Sequence, residues 1–180
     1  MLKISHVSQQ RAEQDLNIRE SWKGVAFISI ADGIRQHPPL INFLERGGVK
    51  AKRLKFEDID SKEIPHISTK NRVIFSDEDA KKLIKFIDEC FFEGVNEFYI
   101  HCLAGISRSS AVALFVMFYS KRHESEIEFD WVNFLTNAMP NSLVFHKLLI
   151  NSNLTDMEKE QYKRKFESYA GKIDLIYKNL

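Results

Sequence analysis

Only two cysteines, Cys90 and Cys102, occur in the 180 residues. That is too few for the disulfide framework of a small secreted domain, so a reducing compartment is expected. Nor does one sign of charge dominate. Twenty-six basic residues stand against twenty-five acidic ones, a net charge of +1, which leaves no overall electrostatic footprint for nucleic acid or an anionic membrane. Long apolar runs are missing as well: the longest, Ala111 to Tyr119, has nine residues, whereas a membrane span needs about 20. Met1 to Val7 holds no apolar stretch of signal-peptide length. No membrane span, no nucleic-acid partner and a cytoplasmic location follow as expectations. The six histidines show no metal-ligand spacing, and no metal or cofactor is expected. Without repeats, low-complexity tracts or linkers, residues 1–180 read as one domain.

What is present is a soluble-protein composition, 44% hydrophobic and 28% charged, arranged as strands and then helices. Leu2 to Val7 alternates as a short strand does. Gly24 to Ile30 is apolar and β-branched, the pattern of a buried strand. Asp32-Gly33 and His37-Pro38-Pro39 mark a turn and a loop, and Asp32 to Arg35 reads as a turn ahead of a pocket lining. Gly47-Gly48 turns the chain into a strand from Val49 to Phe56. Asp60 to Ser76 is polar, irregular and broken by Pro65, hence a loop. Ser76 is an N-cap followed by Asp77, Glu78 and Asp79, which suit a helix dipole, and this helix runs to about Glu93 before Gly94. Cys90 recurs on its apolar face with Phe86 and Ile87 and reads as core, ahead of an oxidation partner for Cys102.

Glu97 to Cys102 is a short strand, and Ser109 to Lys121 a helix apolar on every side and so buried. Helices are expected at about Ser125 to Ala138 and Ser142 to Asn151, with Asn141 or Ser142 as a cap. Thr155-Asp156-Met157-Glu158 opens a last helix, about 156–179, that docks through Tyr162, Phe166, Tyr169, Ile173 and Ile176. Strands alternating with helices predict an α/β domain on a central sheet.

Between that strand and that buried helix lies His101-Cys102-Leu103-Ala104-Gly105-Ile106-Ser107-Arg108-Ser109. A loop curled at a helix N-terminus can aim the amides of Leu103 to Arg108 at an anion, and Gly105 supplies the freedom for the curl. Arg108 adds a planar fork for two phosphoryl oxygens. The same field favours a thiolate at Cys102, which can attack phosphorus. Ser109 is placed to donate to the sulfur, and His101 to orient the loop. The bland alternative is a structural cysteine beside an incidental arginine.

The segment resembles the active-site loop of the protein tyrosine phosphatase superfamily, His-Cys-x5-Arg-Ser/Thr. The Ala-Gly-Ile-Ser-Arg-Ser version is most similar to compact dual-specificity phosphatases and small bacterial tyrosine-phosphatase-like proteins. The resemblance is strong from about Glu97 to Phe118. It implies a central, mostly parallel sheet of about four or five strands flanked by helices, and hydrolysis of a phosphorylated protein through a phosphocysteine intermediate. It also implies an upstream aspartate as general acid. The setting Phe56-Glu57-Asp58-Ile59 favours Asp58, with Asp60, then Asp77 or Asp79, as alternatives. The long interval from Asp58 to Cys102 implies an insertion within Ser61 to Arg72. Leu103, Ala104, Gly105 and Ile106 carry no charge, which turns the expectation away from phosphoinositides. A catalytically retired phosphoprotein-binding module and an RNA 5′-phosphatase are the other readings.

Overall fold

The computed structural model describes residues 1–33, 47, 49–68, 70–123 and 126–178, with residues 173–178 described by backbone alone. In chain order the elements are β1 (Leu2–Ser8), α1 (Gln9–Ile18), β2 (Val25–Ala31) and β3 (Lys50–Lys55). A 3-10 turn (Ile64–His66), α2 (Asp77–Phe92), β4 (Glu97–Cys102) and α3 (Arg108–Ser120) follow. The chain then forms β5 (Ile127–Phe129), α4 (Trp131–Asn137), α5 (Ser142–Asn151) and α6 (Asp156–Lys178).

The strands make one five-stranded sheet in the order β3-β2-β4-β1-β5, every pair of it parallel. A parallel sheet needs both faces covered, and the sequence obeys this where it matters. Every residue of β4 and all but the last of β2 are buried. β3 is an edge, and Lys50, Lys52, Arg53 and Lys55 leave only Leu54 buried there, a charge pattern that discourages pairing with another chain.

One face carries the larger core. All thirteen residues of α3 are buried, because the helix lies against β1 and β4 on one side and α5 on the other. α2 turns Ala80, Leu83, Ile84, Ile87 and Cys90 inward. Tyr162 and Phe166 of α6 join the same core, through rings stacked on Phe118 and Phe145. The expected contacts of Ile173 and Ile176 lie outside the described side chains. On the opposite face α1 covers a smaller core of Ala12, Trp22, Val25, Phe27 and Tyr99. The Tyr99 hydroxyl donates to Asp15 at 2.6 Å, and Arg19 pairs with Glu97 through two bonds of 3.0 and 2.6 Å.

Two elements differ from the sequence expectation. The helix expected from Ser125 begins at Trp131, because Ile127–Phe129 pairs with Leu2–Ile4 as β5 and Asp130 caps the helix by accepting from Asn133 N. Phe129 is buried by that pairing. Helix α1 went unread, since its ten residues are mostly polar and bury only Ala12. His37 to Pro39, Gly48 and Ser125 fall outside the described residues. Among those described, no helix is long and apolar enough to cross a membrane.

Candidate active site

Parallel strands bring their C-terminal ends to one edge of the sheet, where loops from different strands meet. Cys102, last in β4, is in register with Ser8, last in β1. From there the chain curls through Leu103–Ser107 into α3. Gly105 has φ +76°, and a Cβ on it would stand 2.4 Å from Ser8 N and 2.5 Å from the Val7 carbonyl carbon. Both the backbone conformation and the close approach to β1 therefore require glycine.

Four carbonyls of this loop are turned onto the scaffold. Leu103 O accepts from Gln9 N at 3.1 Å, Ile106 O from Met139 N at 2.9 Å, and Ser107 O from Asn141 N at 3.2 Å. Gly105 O is 3.0 Å from His6 Nδ1, so that nitrogen carries the ring proton. His6 is buried, and burial lowers its pKa, against the opposing pull of the Gly105 bond and Asp130. Peptide units without a cis bond set N–H opposite C=O. The amides of Ala104, Ile106, Ser107 and Arg108 consequently point away from those scaffold partners.

Cys102 is buried at the floor of the bowl that the loop forms. Its sulfur lies 3.2 Å from Ser109 Oγ and accepts from Gly105 N at 3.3 Å. Leu103 and Ile106 stand exposed at the rim. On the β1 side, the loop borders a cleft of about 630 Å³ lined in part by His6, Arg11, Ala104, Ile106 and Asp130.

Arg108 is 3% exposed. Its Nη1 donates to Phe56 O at 2.8 Å and is 2.6 Å from Asp32 Oδ1, so the ends of β2 and β3 pin the guanidinium. Its Nε is buried, makes no hydrogen bond and faces Asp58 Oδ2 at 3.7 Å. The sequence reading made Asp32 a turn residue. Gly33 does turn the chain, yet Asp32 also anchors the arginine, while Ile34 and Arg35 lie outside the described residues.

Asp58, just after β3, reaches the bowl. Its Oδ1 accepts from Ser107 Oγ at 2.7 Å and from Asn141 Nδ2 at 3.0 Å, and its Oδ2 lies 3.7 Å from Arg108 Nε. Asp60 is placed differently. It accepts from Ser142 N and Ser142 Oγ, both at 2.8 Å, and from Lys62 N at 3.1 Å. Burial raises its pKa, but those bonds outweigh it and hold the net shift downward. Asp77 pairs with Lys147, and Asp79 closes the capping box on Ser76; neither is bonded to the loop. The insertion expected in Ser61 to Arg72 includes the 3-10 turn and returns through an Arg72–Glu57 ion pair.

His101 is buried in β4 with its ring tilted against Phe27 at 5.3 Å. Cys90 is fully buried in α2, and burial pushes its thiol up to about 12; both cysteines are free. Among the described residues no cluster of His, Cys, Asp and Glu is arranged to hold a metal.

No protein-family model and no curated protein matches the sequence. Solved structures do align along nearly all of it. Tk-PTP in its active form is 15% identical, with 93% of this chain and 92% of that one covered, at a TM-score of 0.45. OH1 from the Orf virus, described as a tyrosine phosphatase with triple substrate specificity, is 14% identical over 98% of this chain and 82% of its own, at 0.44. The chain is similar to both in its course.

Proposed function

We propose that this chain is a cysteine-dependent phosphatase that hydrolyses phosphomonoesters on protein, in the manner of tyrosine and dual-specificity phosphatases. One observation carries the reading. Four of the loop's carbonyls are bonded to the scaffold, and inside the curl the buried Cys102 sulfur meets Gly105 N and Ser109 Oγ beside the buried guanidinium of Arg108. Such a bowl suits a tetrahedral oxyanion such as a phosphoryl dianion, because an uncharged ligand would leave the donors and the guanidinium unmatched.

Cys102, as thiolate, attacks phosphorus as the bond to the ester oxygen breaks, and the Asp58 carboxyl gives its proton to that oxygen. The products are an alcohol or phenol, a phosphocysteine and a carboxylate. Water then attacks the phosphocysteine and loses its proton to Asp58, which restores thiolate and acid and releases phosphate. The backbone from Leu103 to Arg108 holds the equatorial oxygens throughout, in the role of preorganised donors. Ser109 Oγ, 3.2 Å from the sulfur, stabilises the thiolate as it departs in the second step. Leu103, Ile106 and Met139, all exposed, form an apolar border suited to the ring of phosphotyrosine.

The test is turnover of p-nitrophenyl phosphate. Vanadate-sensitive activity is expected, falling more than about a thousandfold in Cys102→Ser. Absence of such activity in the parent sinks the enzyme reading. Cys102→Ser then serves as bait for phosphorylated substrates.

A further inference from the structure

Asn141 is 2% exposed and does three things at once. Its Oδ1 caps α5 by accepting from Val144 N at 3.0 Å. Its backbone N–H holds the loop through Ser107 O at 3.2 Å. Its Nδ2 donates to Ile59 O at 3.1 Å and to Asp58 Oδ1 at 3.0 Å. A capping asparagine needs only the first of these. Spending both amide hydrogens on the segment that carries Asp58 calls for another account.

Asp58 Oδ1 already accepts from Ser107 Oγ at 2.7 Å. With two donors aimed at it, Oδ1 has no room for a proton of its own. A neutral Asp58 must therefore carry its hydrogen on Oδ2, the oxygen nearer Arg108 Nε. That is the side on which a phosphoryl group held by Arg108 would lie.

We infer that Asn141 is a positioning residue for proton transfer: it reserves Oδ1 of Asp58, so that Oδ2 carries the proton delivered to the leaving oxygen. The inference rests on the phosphatase reading above with Asp58 as its acid. In the first step the O–H bond at Oδ2 breaks as a new one forms at the leaving oxygen. The resulting carboxylate keeps its donors from Asn141 and Ser107, which spread the charge it has just gained. In the second step Oδ2 takes the proton from the attacking water.

The experiment separates this role from the cap. Asn141→Ser keeps a good N-cap but cannot reach Asp58. Parent, Asn141→Ser, Asp58→Asn and the double variant are compared on phenyl phosphate, whose leaving group needs a proton, and on 2,4-dinitrophenyl phosphate, whose leaving group does not. Asn141→Ser is expected to lose roughly tenfold in kcat/KM on phenyl phosphate, part of the 10²–10⁴ that a general acid supplies, and little in kcat/KM on the dinitrophenyl ester, since that ratio excludes the second step both esters share. In the Asp58→Asn background the same change should cost nothing further, since its effect passes through Asp58. Equal losses on both substrates, or additive losses in the double variant, overturn the positioning role and leave the phosphatase reading standing. If the parent turns over neither ester, both fall together.

Discussion

A guanidinium buried to 3% exposure keeps its charge only if its surroundings supply acceptors. Arg108 draws them from two other strands: Phe56 O beyond β3 and Asp32 beyond β2. Asp32 thus sets the direction of the fork without standing in the bowl's floor. Removing it leaves the guanidinium half-anchored, and misplacement of this kind costs roughly 10²-fold for about 1 Å. Asp32→Ala is expected to lower kcat/KM by roughly tenfold to a hundredfold and to weaken inhibition by vanadate in step, with Asp32→Asn retaining more of both. Steady-state kinetics with vanadate titration checks this; unchanged vanadate affinity in Asp32→Ala would show that Phe56 O alone holds the fork. The two supporting residues were hard to read for the same reason. Asp32 looked like a turn and Asn141 like a cap, and each is that locally. Their second contacts, with Arg108 and Asp58, cross between distant stretches of chain, 83 positions apart in the Asn141 case. Cys102, Arg108 and Ser109 lie in one contiguous stretch, so the contact of the Cys102 sulfur with Ser109 needs no distant strand to be expected.

Among the elements, those visible in the sequence announce their own burial. β2, β4 and α3 are apolar enough to be placed by pattern, and α2 declares its start through Ser76. There Ser76 Oγ accepts from Asp79 N at 3.1 Å, while the Asp79 carboxylate accepts from Ser76 N at 3.0 Å. Ser76→Ala should cost about 1 kcal/mol, a fall in Tm of about 2–4 °C for a chain of this size, with turnover unchanged below the transition. Thermal unfolding measures it, and an unaltered Tm would mean the capping box carries no net stability. α1 and β5 escaped for opposite reasons. α1 is polar because it covers a small core and faces solvent elsewhere. β5 is three residues long, too short for alternation to register, and exists because the β1 edge offers it partners.

At the scale of the whole molecule, several ionisable groups are buried in their neutral forms, and this fixes how stability varies with pH. Burial raises the pKa of Cys90, to about 12, and of Tyr99 and Tyr119. The folded protein then binds protons that the unfolded chain gives up on the alkaline side. Stability is complete below the ordinary thiol and phenol range, about 8.5 to 10, and declines as pH rises through it. His6 and His146 are shifted downward, chiefly by burial. Their contribution is present above about pH 6.5 and is lost as pH falls below it, because the unfolded chain then takes up protons the folded one refuses. Tm is expected to be highest between about pH 7 and 8.5 and to fall on both sides. A Tm indifferent to pH from 5.5 to 10 would contradict this, and calorimetry across that range decides it.

The residues from Glu97 to Ser120 determined by themselves that a strand, a tight curl at Gly105 and a buried helix follow one another, because each of those features is specified by neighbours in the chain. The tertiary structure alone decided what surrounds them. The parallel order β3-β2-β4-β1-β5 brings the ends of β1, β2 and β3 to the end of β4. That convergence gives Gly105 a backbone to rest on, Arg108 its anchors and Asp58 its place over the bowl. Pairing between strands depends on contacts across long intervals of sequence, and such contacts leave no local pattern from which they can be read.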